Sequence, residues 1–149
     1  MKIIVDANIV FSAILNTNSK IADLLLNSNG IFDFIAPDYL LTETKKYHNK
    51  ISLISRMTLD EVQSIEIKVT KPISFLSGMH VPELYWIKAE QLVLDIDTKD
   101  TPYVAFSMFF KSKIWSGDKV LSNGLILKGF KKVITTEELF VLRESRRKN

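Results

Sequence analysis

Residues 2 to 8 read Lys2-Ile3-Ile4-Val5-Asp6-Ala7-Asn8. The β-branched run predicts a strand that ends at an acid, because isoleucine and valine favour strands. A similar arrangement returns late in the chain, where Ile114-Trp115-Ser116-Gly117-Asp118 predicts a short buried strand that breaks at a glycine. The carboxyl ends of parallel strands form the edge at which ligands bind. We therefore expect Asp6 and Asp118, far apart in sequence, to meet at one edge of a sheet.

The residues between and after these strands alternate between helix and strand patterns. Helical spacing and capping residues predict helices over 19–29, 38–47, 58–65, 82–92, 103–110, 119–124 and from 135 onward. Apolar runs predict further strands over 31–36 and 132–134, and residues 71–81 read as a loop or a short strand. This alternation predicts an α/β fold with three layers, in which helices flank a mainly parallel central sheet.

The length and composition are those of one domain. The chain has 149 residues, of which 46% are hydrophobic, and we assign residues 1–142 to a single domain. Residues 143–149 contain four basic side chains and one acid, so they carry the whole net charge of +3. We interpret them as a flexible basic C-terminal tail; the alternative is an arm that contacts phosphates.

Cysteine and the first residues restrict the class of protein further. The chain has no cysteine, which excludes a disulfide framework and a thiolate metal site. The apolar run before Asp6 is too short for a signal peptide or a membrane span. We therefore expect a protein of the cytoplasm with no membrane partner.

Five acidic residues have the spacing of an active site: Asp6, Glu43, Asp97, Asp100 and Asp118. Two carboxylates about 4 Å apart repel each other by roughly 4 kcal/mol at an effective dielectric of about 20, so a cluster of them requires a cation. Oxygen ligands without cysteine or histidine favour Mg²⁺ or Mn²⁺ over zinc. Such an ion assists attack of water on phosphorus. The sequence therefore predicts metal-assisted hydrolysis of a phosphodiester bond.

The surroundings of these acids resemble the motifs of the PIN domain family, a fold of metal-dependent ribonucleases that includes the toxins of many bacterial toxin–antitoxin pairs. The resemblance covers nearly the whole chain, through residues 3–9, Glu43, residues 97–105 and residues 114–121. It implies a metal-dependent endoribonuclease with an RNA substrate and, for a toxin, an antitoxin protein as partner. It also implies that the catalytic metal cluster consists of Asp6, Glu43, Asp100 and Asp118.

Several residues have roles that the sequence leaves open. Asp97 is either a ligand of a second metal ion or a hydrogen-bond acceptor around the cluster. The resemblance implies that Asn8 and Ser116 support the first and the last acid, although Asn8 is alternatively a local turn former. Glu43 is alternatively a solvated helix residue that pairs with Lys46 one turn later.

Other functions and assemblies also stay open. An enzyme of the haloacid dehalogenase type would use Asp6 as a phosphatase nucleophile, but such enzymes have a second aspartate where this chain has Asn8. An inactive domain of the same fold would bind RNA or a protein without cleavage. The apolar helices suit a homodimer or an antitoxin-binding groove. We interpret His48 and His80, the only histidines, as surface residues.

Overall fold

A computed structural model describes residues 1–148, and its centre is a parallel sheet of five strands. The strands are β1 (Lys2–Val5), β2 (Asp33–Pro37), β3 (Ile73–Leu76), β4 (Lys113–Trp115) and β5 (Val133–Ile134). Their order in the sheet is β3-β2-β1-β4-β5, and every neighbouring pair is parallel. The predicted α/β class is therefore confirmed.

Helices connect the strands and cover the sheet. They are α1 (Ala7–Leu15), α2 (Lys20–Leu26), α3 (Tyr39–Lys46), α4 (His48–Ser55), α5 (Leu59–Thr70), α6 (Glu83–Val93), α7 (Thr101–Phe110), α8 (Lys119–Leu127) and α9 (Thr136–Arg147). Short 3-10 helices lie at Gly78–His80 and Thr98–Asp100. Helix α7 packs on β1, β2 and β4 and contacts α6, whereas α1 packs with α2, α3, α4 and α5.

The central strand is covered on both faces. Ile3, Ile4 and Val5 in β1 are all fully buried, although successive side chains of a strand point to opposite faces. Ile114 and Trp115 in β4 are equally inaccessible. This burial explains why the two predicted strands consist of unbroken apolar runs rather than of alternating apolar and polar residues.

The chain reverses its direction of progress across the sheet at β1. From β1 it moves outward to β2 and β3, then returns to the other side of β1 to form β4 and β5. A crevice opens at the carboxyl ends of the two strands where such a reversal occurs. The register pairs Val5 with Trp115, so the residues that follow these two strands lie at the same crevice.

Two helices have no counterpart among the predicted elements. Residues 7–15 form α1, which buries Ile9, Val10, Ala13 and Ile14 on one face. Residues 48–55 form α4, in which Ile51 is the buried position. The structure also resolves the ambiguous stretch 71–81 into β3 and a 3-10 helix. The second predicted strand, 31–36, begins two residues later, at Asp33, because residues 28–32 form a turn around Gly30 at a φ of 78°.

The prediction of a flexible tail from residue 143 is wrong. Helix α9 runs through the predicted boundary to Arg147, and Arg143 is only 1% exposed. The Arg143 guanidinium donates to Oδ2 of Asp23 at 2.7 Å, and Arg147 donates to the backbone carbonyl of Asn27 at 2.7 Å. These arginines thus dock α9 on the C-terminal end of α2, where the carbonyls carry partial negative charge. Asn149, the last residue of the predicted tail, lies outside the described residues.

No helix among residues 1–148 is by itself long and apolar enough to cross a membrane. Helices α1 and α2 reach that length and composition only as a pair, with a bend of 110° between them.

Candidate active site

Asp6 stands at the carboxyl end of β1, where its side chain enters the crevice. It directly precedes α1, and its backbone N–H donates to the carbonyl of Trp115 at 3.2 Å, which continues the pairing of β1 with β4. The residue is 5% exposed. Burial raises the pKa of the Asp6 carboxyl to about 6, although a hydrogen bond from Ser116 acts in the opposite direction.

Ser116 joins the ends of the two central strands. Its hydroxyl donates to Oδ2 of Asp6 at 2.6 Å, and Ser116 Oγ itself accepts from the backbone N–H of Asp118 at 3.0 Å. The side chain of Asn8 spans the same junction, since Nδ2 donates to Ser116 Oγ and Oδ1 accepts from the backbone N–H of Gly117, both at 3.4 Å. Asn8 and Ser116 therefore lie where a support for the first and last acids would lie.

Asp118 is held by the first turn of α8. Its Oδ1 accepts from the backbone N–H groups of Val120 at 2.9 Å and Leu121 at 3.2 Å, so the carboxylate caps this helix. A cap fixes the side chain beside the positive end of the helix dipole. The cap explains how an acid in a glycine-containing loop keeps one orientation toward the crevice.

Asp100 precedes α7, on the other wall of the crevice. Partial burial and, after it, the charges of Asp6, Asp97, Asp118 and Glu43 together raise the pKa of its carboxyl to about 7. Asp97 lies nearby on the outside, where its Oδ1 accepts from the backbone N–H of Lys99 at 2.9 Å and caps the 3-10 helix. In the folded chain, these acids therefore lie close enough to repel one another.

Glu43 reaches the crevice from α3 and contacts α7. Its Oε1 accepts a hydrogen bond of 2.5 Å from the hydroxyl of Tyr103, a residue that is 1% exposed. Within residues 1–148 the glutamate forms no ion pair with Lys46, so the alternative of a solvated helix pair is not what the structure shows. Burial raises the pKa of the Glu43 carboxyl, while the hydrogen bond from Tyr103 lowers it.

The five acids line one cleft of about 320 Å³ at the carboxyl edge of the sheet. They come from the end of β1, from α3, from the segment before α7 and from the start of α8. Two cations, Lys50 and Lys99, line the same cleft and were not among the predicted site residues. Lys99 stands between Asp97 and Asp100 in sequence, which was a usable signal, whereas Lys50 belongs to the unpredicted helix α4.

The two histidines lie outside this cleft. His48 shares a short contact of 2.5 Å with Glu66 between α4 and α5, and it is partly buried rather than a free surface residue. His80 is exposed, as expected. The side-chain amide of Asn8 contacts Ser116 and Gly117.

The donor set suits a hard divalent cation. The cleft offers carboxylate oxygens, and burial together with the charges of neighbouring acids raises the pKa values of Asp6 and Asp100. Across the described residues, no three acidic or histidine side chains are grouped closely enough to enclose an ion as they stand. Mg²⁺ does not require such a cage, because it retains several waters and is commonly held by one or two carboxylates.

Comparison with known proteins identifies the family. The family model described as PIN domain matches residues 4–139, a range that contains all five acids of the cleft. No curated protein matches the chain. PIN domains are generally nucleases, and they usually bind divalent metal ions. This match extends over most of the sequence and agrees with the parallel sheet and its acidic crevice, so the chain belongs to the PIN domain family.

Proposed function

We propose that this protein is a metal-dependent endoribonuclease that hydrolyses RNA phosphodiester bonds with Mg²⁺ or Mn²⁺. The observation that carries the proposal is the convergence of five carboxylates from separate elements on one cleft. Such a cluster destabilises the folded chain unless a cation enters it. Its presence therefore indicates a metal-binding site rather than a contribution to stability. Membership of a family of nucleases supports the same reaction class.

The proposal gives each side chain a role. Asp6 and Asp118 hold the ion, Asp100 and Glu43 complete the cluster, and Asp97 acts at its outer side. When bound, the ion supplies charge neutralisation at the phosphate and activation of the attacking water. Ser116 and Asn8 keep the carboxylates of the two central strands in fixed orientations, as their hydrogen bonds allow.

The cations of the cleft have a complementary role. Lys50 and Lys99 stand beside acids that would otherwise repel a polyanion. We assign them the attraction of the substrate phosphate, because an ammonium group is a compact positive charge that binds phosphate oxygens. The hydroxyl of Tyr103 holds the carboxylate of Glu43 in place, so we assign Tyr103 the role of a positioning residue.

A cleavage assay tests the proposal. Purified wild-type protein is incubated with labelled transfer RNA, ribosomal RNA and a single-stranded oligonucleotide, with Mg²⁺, with Mn²⁺ and with EDTA. We expect cleavage only with a divalent ion, and a loss of at least about 100-fold in Asp6→Asn and Asp118→Asn, at the upper end of what residues around a metal contribute. The matched control is Asp33→Asn, since Asp33 is exposed at the opposite end of β2. Unchanged rates in both acid variants would show that the cleft is not the active site.

We further propose that the enzyme acts in the cytoplasm as the toxin of a toxin–antitoxin pair and forms a homodimer. Large apolar side chains on α4 and α5 support a protein partner, since Leu53 is 82% exposed, Ile54 57% and Ile67 64%. Induced expression should arrest growth in the wild type and not in Asp6→Asn. Sedimentation of the purified protein should give twice the mass of the chain; a monomer at every concentration would contradict the dimer.

A further inference from the structure

A second concavity lies beside the acidic cleft, along the edge of the sheet. It has a volume of about 760 Å³ and is bounded by α8, by β4 and β5, and by the start of α9. Ser116 and Gly117, which follow β4, also line it. We call this concavity the edge groove.

The edge groove is lined by three lysines and one acid. Lys113, Lys119 and Lys131 border it, all three are exposed, and none forms an ion pair with another residue in the range 1–148. One acid, Glu138, also lines the groove, but its Oε1 accepts from the backbone N–H of Thr135 at 3.1 Å in the capping box of α9. The groove therefore has a net positive charge and selects for an anionic occupant.

Polar groups along the groove suit an extended anion rather than a single ion. The hydroxyl of Ser122 and the amide of Asn123 lie on the wall formed by α8, next to Lys119 in the preceding turn. Lys113 opens β4 and Ser116 follows it, so at about 3.3 Å per residue the lysine stands roughly 10 Å from the acidic cleft. Positive charge thus extends along the groove instead of being concentrated at one point.

The groove and the acidic cleft share one boundary. Ser116 and Gly117 line the groove, while their hydrogen-bonding partners Asp6 and Asn8 line the cleft. Asp118 faces the cleft and the next residue, Lys119, faces the groove. A polyanionic strand that has one phosphate in the cleft can therefore continue directly into the groove.

We propose that the edge groove binds the phosphodiester backbone of the single-stranded RNA substrate on one side of the bond that is cut. The proposal rests on the nuclease function proposed above. Lys113, Lys119 and Lys131 contact successive phosphates, and Ser122 and Asn123 donate hydrogen bonds to them. Contacts of this kind position the strand without reading its sequence.

The salt dependence of RNA binding tests the groove separately from catalysis. Binding of a labelled single-stranded RNA oligonucleotide is measured in EDTA, where no metal-dependent cleavage interferes, over a range of salt concentrations. The substitutions Lys113→Gln, Lys119→Gln and Lys131→Gln are made singly and together. Each lysine that neutralises a phosphate adds about 0.7 to the magnitude of the log–log salt slope, so the triple variant should lose about 2 and bind at least about tenfold more weakly at low salt.

A matched triple variant controls for net charge. Lys68→Gln, Lys71→Gln and Lys88→Gln remove the same number of charges from exposed positions on α5, its C-terminus and α6. This control should keep the wild-type salt slope. With Mg²⁺ present, the groove variant should cleave RNA with a raised KM and a nearly unchanged kcat, because the lysines do not touch the reacting phosphate.

The outcomes separate the groove from the nuclease. Wild-type cleavage together with equal salt slopes in the groove variant and the control would overturn the groove and leave the nuclease intact. Absence of cleavage by the wild type, with a reduced slope only in the groove variant, would overturn the nuclease while supporting the groove as a nucleic-acid site. Equal displacement of RNA by poly-glutamate of the same charge would overturn the assignment to RNA and favour an acidic protein.

Discussion

At the scale of single residues, Ser116 is the side chain on which the acidic cleft depends most. Its hydroxyl contacts the first acid, the amide of Asn8 and the backbone of the last acid, at the junction of two strands that are 110 residues apart. Removal of one partner from a buried network leaves the others without hydrogen bonds, which costs more than the bond itself contributed.

The substitution Ser116→Ala tests this dependence. It removes the hydroxyl donor from Asp6 and the acceptor of Asn8 Nδ2 and of the Asp118 backbone N–H, so we expect a loss of about 1–3 kcal/mol in the free energy of unfolding. Cleavage should fall by about 10- to 100-fold, as for residues that orient metal ligands. Urea denaturation measures the first effect, with Ser64→Ala on the exposed face of α5 as control. Identical denaturation midpoints in the two variants would contradict the role assigned to Ser116.

Asp6 is expected to destabilise the metal-free protein at neutral pH. Its pKa is about 6 in the folded protein and 3.8 ordinarily, so the folded state binds the proton more tightly than the unfolded chain. The resulting stabilisation is fully present below about pH 3.8 and is lost as the pH rises through about 6. Asp100, with a pKa of about 7, acts in the same direction.

The substitution Asp6→Asn should remove this pH dependence. A pKa displaced by one unit corresponds to roughly 1.4 kcal/mol, and that of Asp6 is displaced by about two units, so in EDTA at pH 8 the variant should be more stable than the wild type by on the order of 3 kcal/mol. The asparagine oxygen still accepts from Ser116. Urea denaturation at pH 4 and pH 8 measures the difference, which should nearly vanish at pH 4. A variant less stable than the wild type at pH 8 would refute the electrostatic explanation.

At the scale of elements, two of the four basic C-terminal residues, Arg143 and Arg147, dock α9 on α2. Arg143 is buried and donates to the carboxylate and the backbone carbonyl of Asp23, at 2.7 Å and 3.2 Å. It also pairs with Glu144, at 2.9 Å. Because the guanidinium is already occupied, Arg143 is not available as an arm that contacts phosphates.

The substitution Arg143→Ala should loosen this contact between helices. It removes hydrogen bonds of a charged donor and leaves a void, while the partly exposed Asp23 regains water, so we expect a loss of roughly 2–3 kcal/mol. Arg146→Ala, at an exposed position on the same helix, should change stability by less than about 0.5 kcal/mol. Thermal denaturation compares the two. An equal effect of both substitutions would show that α9 is not docked through Arg143.

The elements that were predictable are those with a local cause. Two helices begin at capping boxes, which are short-range hydrogen bonds between Thr58 and Glu61 and between Thr135 and Glu138. Both capping boxes are present in the structure. Helix α1 was missed because its Ile9-Val10-Phe11 segment has residues that favour strands, and only the contacts of its buried face make it helical. Helix α4 was missed because it offers Ile51 as its single buried position.

The same distinction applies to the cleft. Asp6 and Asp118 were predictable as neighbours because each follows an apolar strand, and parallel strands end at one edge. Tyr103 and Lys50 were not, since their relation to Glu43 and the acids arises from packing between helices that are distant in sequence. Arg143 was misjudged because the composition of a terminal segment does not reveal the partners of its charges. The roles of the acids as metal ligands stay predictions.

At the scale of the whole molecule, the acidic cleft should link metal concentration to thermal stability. An ion that binds only the folded chain stabilises it by about 2.7 kcal/mol at a concentration 100 times its Kd. Mg²⁺ or Mn²⁺ should therefore raise the Tm of the wild type, and the rise should saturate. The measurement is a thermal denaturation series over increasing metal concentration.

Asp118→Asn is the informative variant for this linkage. Asparagine caps helices as well as aspartate does, so α8 should keep its first turn while the cleft loses a charge. The metal-dependent rise in Tm should shrink strongly in this variant and persist in Asp33→Asn. A rise of the same size in all three proteins would place the bound ion elsewhere.

The central position of β1 also bears on how the protein is synthesised. Strand β1 leaves the ribosome before the other strands of the sheet. Asp6, which follows it, has its hydrogen-bonding partner Ser116 110 residues later in the chain. Until residues 113–116 have emerged, Asp6 lacks both the neighbouring strand β4 and the Ser116 hydroxyl that holds its carboxylate. A chain interrupted before residue 113 therefore has no complete cleft, and the five acids come together only after β4 and the start of α8 have been synthesised.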